Sequence, residues 1–279
     1  MPAIKTILVA TDLQQRSAAA PERAAALARQ LGARVVLVHA TPGRIGPVAR
    51  FALRKKPASQ DESETALARI ADQYRDVRME HVIASGAVED VVSQTALDVS
   101  ADLVVLGLHK VRKVLDTLRL TTMERIALAV SCPVLVAHTA AVMPYRRVLG
   151  AITFAPASAQ AMATAGILAP DAEFNAIHAL QLPLKDKLPT SEVENGTTMT
   201  TAMLLRDAFM RLDGLPPQMN VPEIIAGGVH EVLQFRINEL NPDLIVIGSA
   251  SGRNAASLGN YARDLMRAPP TDLLIAKPC

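Results

Sequence analysis

The sequence matches itself. Displaced by 141 residues, Ala101-Asp102-Leu103-Val104-Val105-Leu106-Gly107 falls on Pro242-Asp243-Leu244-Ile245-Val246-Ile247-Gly248. The same displacement puts Lys5-Thr6-Ile7-Leu8 on Arg146-Arg147-Val148-Leu149, Ser17 on Ser158, Gly86 on Gly227, Val88 on Val229 and Val91 on Val232. With a displacement of 139, His39-Ala40 falls on His178-Ala179, and Val134-Leu135-Val136-Ala137 on Leu273-Leu274-Ile275-Ala276. An ordered series of matches along a whole chain marks a structural repeat. Each copy is long enough to bury a core of its own. One larger doubly wound domain would extend the strand order; here the order restarts.

Each copy alternates strand and helix signals. In the first, Ile7–Ala10 is a short apolar strand, and Ala18–Gln30 has helical Ala/Leu spacing stopped by Gly32. Arg34–His39 reads as a buried strand, Asp61–Tyr74 as a helix, and Arg78–Ala84 as a partly exposed alternating strand. Val88–Val99 reads as a helix, Leu103–Leu106 as a strand, Thr121–Val130 as a helix and Val134–Ala137 as the last strand. The second copy places strands near 147–152, 175–179, 220–226, 244–247 and 273–276. This alternation predicts an α/β chain of two tandem doubly wound domains with parallel sheets and helices on both faces. The domains are expected at 1–140 and 145–279, joined by a linker at Thr139–Tyr145 that contains Pro144.

Composition supports that architecture. Half of the residues are apolar, Trp is absent and aromatics make up 3%. The cores must therefore be aliphatic, as suits parallel strands covered by Ala-rich helices. The net charge is +2, the first copy being basic and the second slightly acidic. Neither carries the field of a general nucleic-acid binder. Cys132 and Cys279 are too few for a disulfide framework. No apolar run has the length of a membrane span, and Met1-Pro-Ala-Ile-Lys-Thr runs straight into a strand without a signal-peptide pattern. A cytoplasmic protein that contacts neither membrane nor nucleic acid is expected.

With these elements in order, the chain resembles the universal stress protein family in its tandem form. The strand Ile7-Leu8-Val9-Ala10-Thr11-Asp12 is similar to the family's opening strand, which ends in Asp. Asp102-Leu103-Val104-Val105-Leu106-Gly107 and its second-copy counterpart resemble the fourth strand, and Cys132-Pro133-Val134-Leu135-Val136 the last. The resemblance implies a five-stranded sheet, stress-linked expression and, in many members, adenine nucleotide binding. It also implies pairing through the last strand, hence an internal pseudo-dimer in a tandem member and a capacity to form homodimers.

A sheet with order 3-2-1-4-5 binds ligands beyond the carboxyl ends of strands one and four, where the strand order reverses. Thr11 and Asp12 follow strand one; Gly107 ends strand four. Asp12 has two readings, a cap for the following turn or an acceptor for a ribose or adenine edge. Nucleotide-binding members resemble a Gly-x2-Gly-x9-Gly-Ser/Thr loop. In the first copy Gly107 occupies its first position, Lys110 the second, Leu120 the third and Thr121 the hydroxyl position. Glycine there lets backbone N–H groups approach phosphate, and a helix N-terminus adds positive potential. Lys110, Arg112 and Lys113 form either a solvated loop or side-chain donors in place of the missing N–H groups. Thr121 and Thr122 read as caps of the next helix, with Glu124 in its first turn. The second copy retains Gly248, Ser249, Gly252, Gly259 and Asn260, but its loop is two residues shorter and Thr153 stands in the carboxylate position.

Other candidates have structural readings. Asp102 and Asp243 would close the turn into strand four. His39 and His178 end strand two in both copies, which favours packing over metal binding, and no His cluster has ligand spacing. Arg44, Arg50, Arg54, Lys55 and Lys56 form a cationic run without acidic residues, read as a solvated helix face in preference to a surface for an anionic partner. No P-loop, dinucleotide fingerprint or nucleophile elbow is present. The expected function is therefore a non-enzymatic stress-response regulator, binding ATP, ADP or AMP in one of two unequal sites and needing no metal. The alternative is a ligand-free interaction module that docks a partner through Thr41–Ala58 or Gln181–Thr201. A slow ATPase rests on fold analogy alone.

Overall fold

Near-continuous Val, Ile and Leu runs form strands buried on both faces. The computed structural model describes residues 3–42, 59–108, 120–138, 144–181, 192–249 and 258–277. The chain divides between Pro144 and Tyr145 into two compact units.

In the first unit the elements are β1 (Thr6–Ala10), α1 (Ala19–Leu31), β2 (Arg34–Thr41), α2 (Gln60–Gln73), β3 (Met79–Ser85), α3 (Val88–Asp98), β4 (Leu103–Gly107), α4 (Thr122–Ala129) and β5 (Val134–Ala137). All pairings are parallel, in the order β3-β2-β1-β4-β5. The core strands β1 and β4 are buried, whereas β3 at the edge is largely half-exposed. That edge position explains the alternating pattern of β3. Gly32 ends α1 at φ +67°, and its N–H donates to the Ala28 carbonyl; only glycine adopts this left-handed cap without a steric cost. The α2 start is a reciprocal capping box between Ser59 and Glu62.

The second unit contains β6 (Arg147–Ala151), α5 (Pro156–Leu168), β7 (Glu173–Leu180), α6 (Glu192–Phe209), β8 (Glu223–Ala226), α7 (Val229–Leu240), β9 (Leu244–Gly248), α8 (Asn260–Arg267) and β10 (Asp272–Ala276). Its strand order is β8-β7-β6-β9-β10, again all parallel. Among the described residues no helix is long and apolar enough to cross a membrane.

The repeat extends to backbone detail. Leu13 and Phe154, related by the displacement of 141, have φ of +58° and +59°. Ser100 and Asn241, related in the same way, have φ of +52° and +45°. Asp102 Oδ2 accepts the Lys5 and Thr6 N–H groups at 2.8 and 3.0 Å, and Asp243 accepts those of Arg146 and Arg147 at 2.9 and 3.0 Å. These two carboxylates thus reach across to the start of the neighbouring strand, β1 or β6, rather than closing only their own turn. Without them, N–H groups at a strand start would lack a protein acceptor.

Candidate functional site

In the first unit the chain leaves β1 through a tight turn. Thr11 N–H still donates to the Val38 carbonyl at 3.0 Å, continuing the sheet. Leu13 then adopts a left-handed conformation, which disfavours a branched side chain by about 1 kcal/mol. Two side chains hold it there. Thr11 Oγ1 accepts the Leu13 N–H at 3.1 Å, and Asp12 Oδ1 accepts the Gln14 N–H at 3.0 Å. The Ser17 hydroxyl lies 2.8 Å from both Asp12 Oδ1 and the Gln14 carbonyl oxygen. Asp12 therefore caps this turn, as one of its two readings expected, and it also borders a cleft.

That cleft, about 190 Å³, lies at the carboxyl ends of β1, β2 and β4. Val38, Val88, Val92 and Ile126 give it apolar walls; Thr11, Asp12, Ser17, His39 and Thr122 supply its polar side chains. Val88 and Val92 lie one turn apart on α3, so both face the same side. His39 Nδ1 is 2.9 Å from the Thr11 carbonyl oxygen. A carbonyl can only accept, so Nδ1 carries the proton, which fixes the ring's orientation. His178 makes the same bond to the Ile152 carbonyl at 2.9 Å in the second unit. Each ring is thus held by a backbone carbonyl at the end of strand two; among the described residues no group of three or more His, Cys, Asp or Glu could hold a metal ion.

Gly107 borders the cleft, but its lack of a side chain has another cause. A Cβ at this position would lie 2.7 Å from the Ser17 Cα; at Gly248 it would lie 2.6 Å from both the Ala157 carbonyl carbon and the Ser158 nitrogen. Both glycines let the end of strand four touch the entrance to the first helix. Thr121 is the N-cap of α4 and forms a reciprocal box with Glu124, which is fully buried. Thr121→Ala is expected to lower stability by about 1 kcal/mol, read as a loss of hydrogen-exchange protection over α4. An unchanged α4 would contradict the capping assignment. Thr122, the first residue of that helix, lines the cleft. Lys110, with Arg112 and Lys113, lies outside the described residues, as do Gly252, the cationic run from Arg44 to Lys56, and Cys279.

The second unit builds the corresponding turn from different chemistry. Thr153 stands in the position of Asp12, and its N–H donates to the Ser158 hydroxyl at 3.1 Å. The Phe154 ring lies 4.6 Å from the His178 ring and meets Phe209 edge-on at 5.7 Å. Ser249 is buried, and its N–H donates to the Ala276 carbonyl at 2.7 Å. Gly259 caps α8 at φ −55° with no side-chain bond, and Asn260 is the exposed first residue of that helix. Tyr261 takes the place of Thr122 under the displacement of 139, and burial, reinforced by Asp264, raises its phenol pKa far above the usual range. A bulky, protonated ring thus replaces a small hydroxyl.

Residues 3–138 match the universal stress protein family. That segment, the first unit, is a universal stress protein domain. Two solved structures share the fold over almost the whole length of the chain. A putative universal stress protein from Pseudomonas aeruginosa UCBPP-PA14 is 19% identical, with a TM-score of 0.70, over 99% of this chain and 94% of its own. A universal stress protein from Archaeoglobus fulgidus DSM 4304 is 16% identical, with a TM-score of 0.70, over 98% and 96%. A universal stress protein solved in complex with cAMP is 23% identical over 50% of this chain and 99% of its own, with a TM-score of 0.40. Among curated proteins none matches this sequence.

The apolar walls of the cleft escaped the sequence reading. Val88 and Val92 are spaced like any buried helix face, and only the strand order brings them beside Asp12. The i, i+4 spacing was the available signal, and it is shared by every amphipathic helix.

Proposed function

We propose that this chain is a non-catalytic stress-response protein whose first unit binds an adenine nucleotide at the end of β1, β2 and β4. One observation carries the reading: an apolar slot between α3 and the strand ends, bordered by the Asp12 carboxylate, at the reversal point of the sheet order. The slot suits a flat base, and Asp12 suits its amino edge or a ribose hydroxyl. The N-terminus of α4, where Thr122 sits, favours a phosphate. In the second unit Thr153 and Tyr261 replace Asp12 and Thr122, so one nucleotide per chain is expected.

Calorimetric titration of the full chain with AMP, ADP and ATP tests this directly. We expect one saturable site, weakened by about tenfold or more in Val88→Trp, which fills the slot from a partly exposed position. No heat and no thermal shift with any of the three nucleotides would sink the proposal. A second reading, a ligand-free interaction module, is favoured by the fact that Asp12 is already bonded to Gln14 and Ser17. Partner capture that ignores added nucleotide and survives Val88→Trp would support it instead.

A further inference from the structure

The helix that follows strand two differs between the units. In the first unit α2 lies against β3 and β2 and buries Ser63 and Leu67. In the second, α6 buries only Ala202 and Phe209 among the described side chains. Leu204, Leu205 and Leu212 remain 66%, 52% and 45% exposed, a cost that water-facing leucines impose unless something covers them. Between α6 and α5 runs a groove of about 400 Å³. Its α5 side carries Phe154, Ala159 and Ala163; its α6 side carries Leu205, Phe209 and Leu212. The displacement of 141 relates Ala163 to Glu22 and Phe154 to Leu13, so this face has lost a charge and gained a ring.

The groove is not uniformly apolar. Gln160 lines it, and Asp213 stands at one end, in the turn that leaves α6. No hydrogen bond or ion pair engages Asp213 among the described residues, whereas nearby Arg206 is paired with Asp207. The carbonyl end of α6 adds negative potential at the same end of the groove. Phe154, half-buried and backed by the buried Phe209 ring, presents ring surface that attracts cations.

We propose that this groove binds a small amphiphilic organic cation, an aryl- or alkylamine. Its apolar body lies against Phe154, Leu205 and Phe209, and its ammonium group meets the Asp213 carboxylate. The site is separate from the nucleotide cleft and does not depend on it.

The test uses the full chain and three probes of matched size: 2-phenylethylamine, neutral 2-phenylethanol and anionic 3-phenylpropionate. Titration is followed by ligand-observed NMR. The amine is expected to saturate one site with a Kd of about 0.1–1 mM, and the neutral probe to bind about tenfold more weakly. Asp213→Asn should weaken the amine by about tenfold and leave the neutral probe unchanged. Ala208→Trp, from an exposed position lining the groove, should abolish binding of both. Equal binding of all three probes, amine binding that survives Ala208→Trp, or no binding by any probe would overturn the proposal. A groove occupied by another part of the chain, or by a second copy, would give the last of these outcomes.

Discussion

Gly248→Ala is expected to destabilise the second unit by about 3 kcal/mol. The added Cβ would meet the Ala157 carbonyl carbon and the Ser158 nitrogen at 2.6 Å, and the Ala157 oxygen at 2.9 Å. These are backbone atoms at the entrance to α5, so no side-chain rotation relieves the contact. Either β9 or the start of α5 must shift, and both belong to the buried core. Hydrogen exchange read by mass spectrometry should show protection over residues 244–248 falling by about a hundredfold, with β1 and β4 unaffected. Gly107→Ala is expected to act in the same way on the first unit, where the neighbour is the Ser17 Cα at 2.7 Å. Retained protection in both variants would refute the close-approach argument. The paired experiment also bears on function. A loss of nucleotide binding in Gly107→Ala follows from the displaced Ser17 and Asp12 turn, and would not show that glycine N–H groups contact phosphate.

The second large effect is expected from Tyr145→Phe, at about 2 kcal/mol. Tyr145 is buried at the entrance to β6, and its hydroxyl donates to Asp272 Oδ2 at 2.6 Å. Asp272 is itself fully buried at the start of β10. Removing the hydroxyl deletes one donor to a buried carboxyl group while leaving the ring's packing intact, so the change isolates the polar contribution. Ile4, the counterpart of Tyr145 under the displacement of 141, is buried and apolar, so the first unit closes the same position without a polar pair. Chemical denaturation of the full chain should show a lower midpoint for the transition that includes the second unit, with the first unit's exchange protection unchanged. No change in midpoint would mean that water or another donor serves Asp272 equally well.

The strands were legible because burial on both faces demands long aliphatic runs, and few other structures do. Leu103–Leu106 and Val134–Ala137 could be read within a residue of their observed ends. Gly32 was legible as a stop because a left-handed cap tolerates few other residues. The capping box of α4 was visible in part, as Thr121 followed by Glu124. Asp102 and Asp243 were recognisable as structural, but not their acceptor role toward β1 and β6. Their partners lie 96 and 97 positions away, and no local pattern encodes so distant a bond.

The candidate site was less legible, for the same reason. Asp12 was singled out with both of its readings, yet only the folded chain shows it bonded to Gln14 and Ser17 while bordering a cleft. Gly107 and Gly248 were read as letting backbone N–H groups approach a phosphate; only the tertiary structure shows that the space a Cβ would need is taken by the entrance to the first helix. The groove beside α6 had no signal at all. Leu205 and Leu212 look like ordinary core positions until the helix is seen to leave them exposed.

By itself, then, the amino-acid order determined a tandem repeat, its parallel strands and the divergence of the copies at the turn after strand one. Those are consequences of periodicity, burial and residue identity, all local or nearly so. Tertiary structure alone decided which side chains meet across the sheet ends. It set the Asp12 turn beside Val88 and Val92, put a helix entrance against each strand-four glycine, and left leucines of α6 exposed beside a groove. Each of these depends on packing between segments distant in sequence, where shape and excluded volume, not local preference, select the neighbour.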